Sequence, residues 1–525
     1  VLHKNVLLVI QPDTIAGAET GHFGVEDCTG RGRRQGPAML EIFPRDEDAF
    51  IGKIMLGRPT GNSIVLSALS LTPLDLFIDC TAVPGPGDGR ARIALPVMGV
   101  SPSQPAEVVL AGLDPDTEYS YQVSYGSPGA DDLTAGWTGR FHTQRARKST
   151  FVFTIQADSH MGLAAIGLPD SKAELYNRTL TNIAGDAPDF HIDLGDFSSL
   201  ELVARRSAAS LDEARERYAS QRYFLADLCR NVPFYLVLGN HEGEQGWRAR
   251  LPEDSLCIWG TLARRLIIPN PYPDAFYSGN PDTVAGGPLG DYYAWEWGDA
   301  LFVVLDPFRY TVKRPHGLGW GEGSLDGWDW TLGKQQYDWL YTTLHGSHAR
   351  WKFVFAHHMT GGVAGTRRGE GYYGRGGIDA ARYAVAKRPT FEWGGEDSTG
   401  AYVFDLMRPG WNHGPIHRMM ANEGVDIFFR GHDHVFVYET LDGVVYQTCP
   451  TPDDTLYATG YLEASLFTTG VQVNNPGHLR VMVSPDSVRV DYVRSVLPQD
   501  EPLRENGVEI RNGDVCYTYT LMGPR

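Results

Sequence analysis

The chain lacks any apolar run near the roughly 20 residues that a membrane-spanning helix needs. The segment "VLLVI" at 6–10 is stopped at once by Gln11 and Pro12. Positive charge is also short: 46 Lys and Arg against 64 Asp and Glu leave a formal charge of −18. Nucleic-acid affinity comes from basic groups facing phosphates, so no nucleic-acid-binding surface is expected, nor docking on anionic membranes. A local basic pocket for one phosphate group remains compatible with that balance. Cysteine is sparse, at six residues in 525 (Cys28, Cys80, Cys229, Cys257, Cys449 and Cys516), and none forms a CxxC pair. The even count, and a first residue Val1 in place of Met, point to an exported chain that carries disulfides. Such a chain would be secreted, periplasmic or at the cell surface.

What is present is an ordinary globular composition, 42% hydrophobic and 21% charged, which at this length implies two to four domains. Residues 1–50 are rich in Gly, Asp, Glu and Arg and suggest an extension with strand fragments and loops. Residues 51–146 carry short alternating runs broken by Gly and Pro, among them "NSIVLSALSL" and "EYSYQVSYG", the pattern of an antiparallel β-sandwich. Within them Leu113, Pro115, Thr117, Tyr119 and Tyr121 resemble the fibronectin type III pattern, in which one tyrosine makes a corner hydrogen bond. "QRARKST" at 144–150 reads as the linker. From there to 445, apolar strands alternate with helical stretches such as "SLDEARERYASQRYFLADLC", an α/β layered arrangement. Strand-like runs return over 446–525 and either complete that sheet or cover it.

The polar residues that end the apolar strands carry the chemistry. They are Asp158-Ser159-His160, Gly195-Asp196, Gly239-Asn240-His241-Glu242, His357-His358 and Gly431-His432-Asp433-His434. A single such cluster is an ordinary turn; five at the ends of β-runs within one α/β segment are a site, because such sheets bind ligands at their strand C-termini. Carboxylate, imidazole and amide oxygen together suit Zn, Mn or Fe, and thiolates are absent from the clusters. Two metals about 3.5–4 Å apart require a bridging group, and a carboxylate does this best. His432 and His434 are two apart, so an extended backbone turns both to one side and Asp433 to the other.

In this order the clusters resemble the calcineurin-like metallophosphoesterase family over roughly residues 150–445. The resemblance implies a metallophosphoesterase core, a β-sandwich flanked by helices, preceded here by the all-β fibronectin/Ig-like domain. It also implies two transition-metal ions, divalent or trivalent (Fe, Zn or Mn). Asp158, His160 and His434 would bind one ion, Asn240, His357 and His432 the other, and Asp196 would bridge them. His241 would stand beside the scissile ester, touch phosphate and protonate the leaving oxygen. Where the family shows one ligand histidine, this chain has two, and His357 is favoured over His358 because it closes the strand directly. The chain is also similar to secreted relatives of purple acid phosphatases and alkaline phosphatase D.

Departures from those relatives narrow the reading. The position at which purple acid phosphatases place a metal-binding tyrosine is Ser199, so no tyrosinate-to-iron colour is expected. The GDxxDR helpers of protein Ser/Thr phosphatases are missing from Gly195-Asp196-Phe197-Ser198-Ser199-Leu200, which leaves Glu242 or another residue to orient His241. The implied reaction is hydrolysis of a small phosphate-ester substrate by attack of water activated by the metals, with no Ser or Cys nucleophile. A phosphomonoesterase is the leading reading. The alternatives are a phosphodiesterase of the same fold, or a surface or scaffold protein that has lost catalysis. Arg367, Arg368 and Arg375 in the Gly- and Arg-rich segment 360–396 are either anion contacts or solvated loop charges, and His358 is a further candidate substrate contact. Asp193 and Asp433 are candidate partners for the ligand imidazoles.

Overall fold

The computed structural model describes residues 9–10, 54–70, 72–83, 92–101, 104–161, 170–200, 210–249, 256–315, 323–324, 326–364, 371–378, 381, 390–397, 399–459, 467 and 469–523. Apart from Val9–Ile10, the expected extension over 1–50 lies outside them.

The alternating runs that follow fold as two facing antiparallel sheets. One carries Val9–Ile10, Ala106–Ala111, Ser63–Ala68 and Ile54–Gly57; the other carries Arg92–Val100, Leu74–Ala82, Glu118–Gly126 and Thr134–His142. Ile64, Leu66, Ile78, Cys80, Val108, Leu110, Tyr119 and Val123 fill the space between them. Tyr119 makes the corner bond, its hydroxyl accepting from the Asp114 N–H at 2.8 Å. This is the fibronectin/Ig-like sandwich, with the tyrosine closing the turn before its own strand.

The larger domain is built on two further sheets. The first runs in the order Phe234–Leu236, Phe190–Asp193, Phe151–Gln156, Gly477–Val483, Ser487–Arg494 and Val515–Met522. Its first three strands are parallel, and Gly477–Val483 lies antiparallel against Phe151–Gln156. The C-terminal strands therefore complete this sheet. The second sheet contains four parallel strands, Ala300–Val304, Trp351–Phe355, Ile427–Arg430 and Val444–Thr448. Alternate residues explain why these strands read as unbroken apolar runs. Phe302, Phe353, Phe355, Ile427 and Phe429 turn inward to meet Phe151, Phe153, Phe190, Leu479 and Val481 of the facing sheet. Leu301, Val303, Val354 and Phe428 turn outward under Tyr337, Leu340 and Met420 of the covering helices. Strands buried on both faces need apolar side chains at every position.

On the outer side of the first sheet pack the helices Asp170–Gly185, Leu211–Cys229 and Leu256–Ile267. Leu211–Cys229 starts where Ser210 accepts the Glu213 N–H, and Asp212 and Glu213 complement the positive end of the helix. Met55 and Leu69 of the sandwich enter this same helical core, so the two domains share buried apolar surface. Arg222 fastens the joint: its buried guanidinium donates to Ser67 Oγ (2.9 Å), Ser67 O (2.6 Å) and Ile267 O (2.7 Å). Burial pushes its pKa down to about 10.

The expected disulfides do not form among the described residues. Cys80, Cys229, Cys257, Cys449 and Cys516 are all free thiols, and Cys28 lies outside the described residues. The reason is placement: Cys80 sits in the sandwich core, Cys229 under the helices and Cys449 between the two large sheets. An even count says nothing about neighbourhood. Replacing Arg222 tests the shared joint. Arg222→Ala leaves three acceptors buried without their donor and should cost about 2–3 kcal/mol, read as a lower urea midpoint with an unchanged slope. A midpoint within about 0.5 kcal/mol of the parent would show that the joint does not depend on this residue.

Candidate metal centre

The parallel strands of both sheets end on the same side, and the five polar clusters follow directly from them. Delivering side chains inward from so short a turn takes unusual backbone. Asp158 (φ 60°), His160 (50°), Asp196 (56°), His432 (70°) and His434 (54°) all lie in the left-handed region. For non-glycine residues each such position costs about 1–3 kcal/mol and persists only where the surroundings enforce it. Glycines take the tighter places: Gly195 has φ 97°, and a Cβ at Gly431 would come within 2.7 Å of Asp158 Oδ2.

Two overlapping groups result. Donor atoms of Asp158, His160, Asp196 and His434 lie within 4.8 Å of one another, and so do those of Asp196, His357 and His432. Asp196 belongs to both. Its Oδ1 is occupied by the His241 N–H at 2.8 Å, while Oδ2 faces His357 Nε2 at 3.2 Å and the Nε2 atoms of His160 and His241 at 3.7 Å. Asn240 joins the second group, its Oδ1 standing 3.0 Å from His357 Nε2. In the first group His434 Nε2 is 3.3 Å from both Asp158 Oδ1 and His160 Nε2. His357 Nδ1 meets Leu194 O at 2.8 Å, a carbonyl that can only accept, so Nδ1 donates and Nε2 is the atom turned to the cluster.

Two features show that this donor set fits cations. Asp158 Oδ1 is buried and faces the ring nitrogens of His434 (3.3 Å) and His357 (3.8 Å), while its sister oxygen accepts the His432 N–H at 2.8 Å. The charges point the same way. Burial pushes the Asp196 carboxyl up, yet the His241 and His357 imidazoles outweigh it and hold the group well below its ordinary value. Burial lowers His357, but the Asp196 and Asp158 carboxylates carry it up to about 9, and Asp158 raises His434 against its own burial. Burial takes His160 the other way, down to about 3. Two buried carboxylates thus call for positive charge between imidazoles, a place suited to borderline transition metals.

The remaining residues take other parts. Glu242 does not reach toward the His241 ring. Its buried carboxylate accepts the backbone N–H groups of Asp196 (3.0 Å), Phe197 (2.7 Å), Ser198 (2.9 Å) and Gly239 (2.6 Å), clamping the turn that carries Asp196. Asp193 lies beneath that turn, bonded to the Gly195 N–H and to Gln156 Nε2, with no ligand imidazole among these partners. Asp433 turns away from the donors and binds Arg430, the Gly376 N–H at 3.0 Å and Arg375 at 3.5 Å. His358 is fully buried, edge-on to Phe308 and Trp330 and beside His432, so its ring supports that ligand and does not line the open side. Arg375 is partly exposed on the segment next to the His432–His434 turn. Arg367 and Arg368 lie outside the described residues. The open side is formed by the less buried rings of His160, His241 and His434.

The family model described as calcineurin-like phosphoesterase matches residues 151–436, which span all five clusters. Among solved structures, the chain is similar to one described as PhoD, with a TM-score of 0.59 and 14% identity over 92% of each chain. It is also similar to purple acid phosphatase PPD1 from yellow lupin (Lupinus luteus) seeds, with a TM-score of 0.54 and 14% identity, covering 90% of this chain and 74% of that one. At such identities the likeness is one of fold. Comparison with curated proteins gave no match.

Metal analysis provides a direct check on the centre. About two transition ions per chain are expected. Gly239→Ala should lose most of both, because the added Cβ collides with the backbone N and Oδ1 of Asp196. Full metal content in that variant would contradict the arrangement. Iron-loaded protein should show no tyrosinate band, Ser199 being buried beside His160.

Proposed function

The chain belongs to the calcineurin-like phosphoesterase family, and on that premise we propose that it is an exported phosphomonoesterase working with two metal ions. The observation that carries this reading is the position of Asp196, whose one open oxygen faces imidazoles of both donor groups. In this reading Asp158, His160 and His434 hold one ion, Asn240, His357 and His432 the other, and Asp196 joins them. When bound, the ions supply Lewis acidity to phosphate oxygens and acidify a water. The protein's own part is to place and to exclude. Fixed donors leave no reorganisation to be done as charge builds on the phosphoryl group.

His241 is placed for proton transfer. Its backbone N–H is pinned by Asp196 Oδ1, its ring packs edge-on to His160 at 5.1 Å, and it stands on the open side. An ester oxygen lying over the donor cluster would meet this imidazole first, and the proton would pass to that leaving oxygen. Arg375, close to the His432–His434 turn and partly open to solvent, is the cation proposed to steady a substrate anion. We take 51–146 as the sandwich domain, 147–445 as the catalytic domain and 446–525 as strands that serve the latter.

The reading is tested with p-nitrophenyl phosphate and bis-p-nitrophenyl phosphate in the presence of Mn, Zn or Fe. Hydrolysis of the monoester is expected, lost by about 10³-fold or more in Asp196→Ala and on metal removal. Turnover of the diester alone would make the protein a phosphodiesterase. A rate indifferent to Asp196→Ala would leave a binding protein. His241→Ala should cost about 10²–10⁴-fold on an alkyl phosphate, and clearly less on the nitrophenyl ester, whose leaving group needs no proton.

A further inference from the structure

We propose that Ser199 is the positioning residue for His160, so that one short turn, residues 194–199, sets the geometry of both halves of the metal centre. This rests on the metal-centre reading above and adds a role to a residue that the sequence marks only by the absence of a tyrosine.

Ser199 is fully buried and left-handed, with φ 52°, a conformation that serine adopts only when held. Its hydroxyl lies 3.3 Å from His160 Nδ1. On the other side of Asp196, Leu194 O lies 2.8 Å from His357 Nδ1. The turn therefore presents, in order, a carbonyl for an imidazole of the second group, the shared carboxylate, and a hydroxyl able to accept from an imidazole of the first. In each case the contacted nitrogen is Nδ1, and Nε2 is the atom turned to the cluster, toward Asp196 Oδ2. An imidazole donating from Nδ1 has its lone pair on Nε2, and such partners fix both ring orientation and tautomer.

The turn is itself rigid. Its Asp196, Phe197 and Ser198 N–H groups are held by Glu242, and His160 N donates to Asp196 O at 3.1 Å. Ser199 thus stands on a frame fixed independently of its side chain. A backbone carbonyl cannot be deleted by substitution, but the serine hydroxyl can, and this makes the two halves separable by experiment.

Metal affinity is measured by competition with a chelator for Zn(II), one ion at a time, in the parent, Ser199→Ala and Ser199→Gly. Both variants should bind one ion about 10–100-fold more weakly and hold the other unchanged, with the thermal midpoint preserved. Cobalt-loaded variants should show an altered visible band for one equivalent of cobalt only. Glycine accepts φ 52° freely, so a purely conformational role would leave Ser199→Gly at parental affinity, and that result would overturn the proposal. Equal weakening of both ions would overturn it too. Should Ser199→Ala fail to fold, Ser199→Gly carries the test. A parent protein that binds no metal is a different failure, that of the metal centre itself.

Discussion

The clamp of Glu242 on the turn before Asp196 is the contact on which the rest of the centre depends. One buried carboxylate receives four backbone N–H groups, three of them consecutive. Burial and the neighbouring Asp196 raise its pKa, and the N–H groups work against that rise. Removing it would strand those buried donors, a cost of about 1–3 kcal/mol for each. It would also release the left-handed geometry at Asp196 and Ser199, a conformation that costs free energy for any residue but glycine. Glycine at 239 belongs to the same contact, since Glu242 Oε2 and Asp196 Oδ1 fill the space that a Cβ there would need.

Strain of this kind needs a stiff support, and the support is aromatic. Phe153 meets Phe302 edge-on at 5.1 Å, Phe190 meets Phe302 at 5.2 Å, and Phe153 meets Phe429 edge-on at 6.3 Å. These rings lock the two large sheets face to face, so strands far apart in sequence finish at one place. Asp158 and His432 show the result: 274 residues apart, they are joined by a backbone N–H to a carboxylate oxygen. Five left-handed ligand positions at about 1–3 kcal/mol each amount to a sum comparable with the net stability of a domain. The aromatic core is what offsets it.

Charge is organised on two scales. The chain is acidic overall, yet its centre is a place where buried carboxylates are answered by imidazoles, with Arg375 and Arg430 gathered on Asp433 beside the His432–His434 turn. That grouping explains why Asp433 is not a partner for the ligand rings. It anchors the 374–378 segment to the turn, through Arg430 to Gly374 O and through its own oxygen to the Gly376 N–H.

The sequence alone determined the layers and the addresses. Strands buried on two faces must be apolar throughout, so their ends are visible as the first polar residues, and those residues carried metal chemistry in their types. Alternation in 51–146 likewise marked a sandwich, and its Tyr119 could be singled out with Tyr121. Tertiary structure decided everything that depends on direction. It turned His357 into the cluster and His358 into a packed aromatic cage. It gave Glu242 to the backbone instead of to His241, brought the C-terminal strands into the first sheet, and left five cysteines as free thiols. The physical reason is common to all of these. Residue type and period are local properties, whereas the sign of a φ angle, the way a ring faces and the neighbour of a thiol are set by contacts between distant segments.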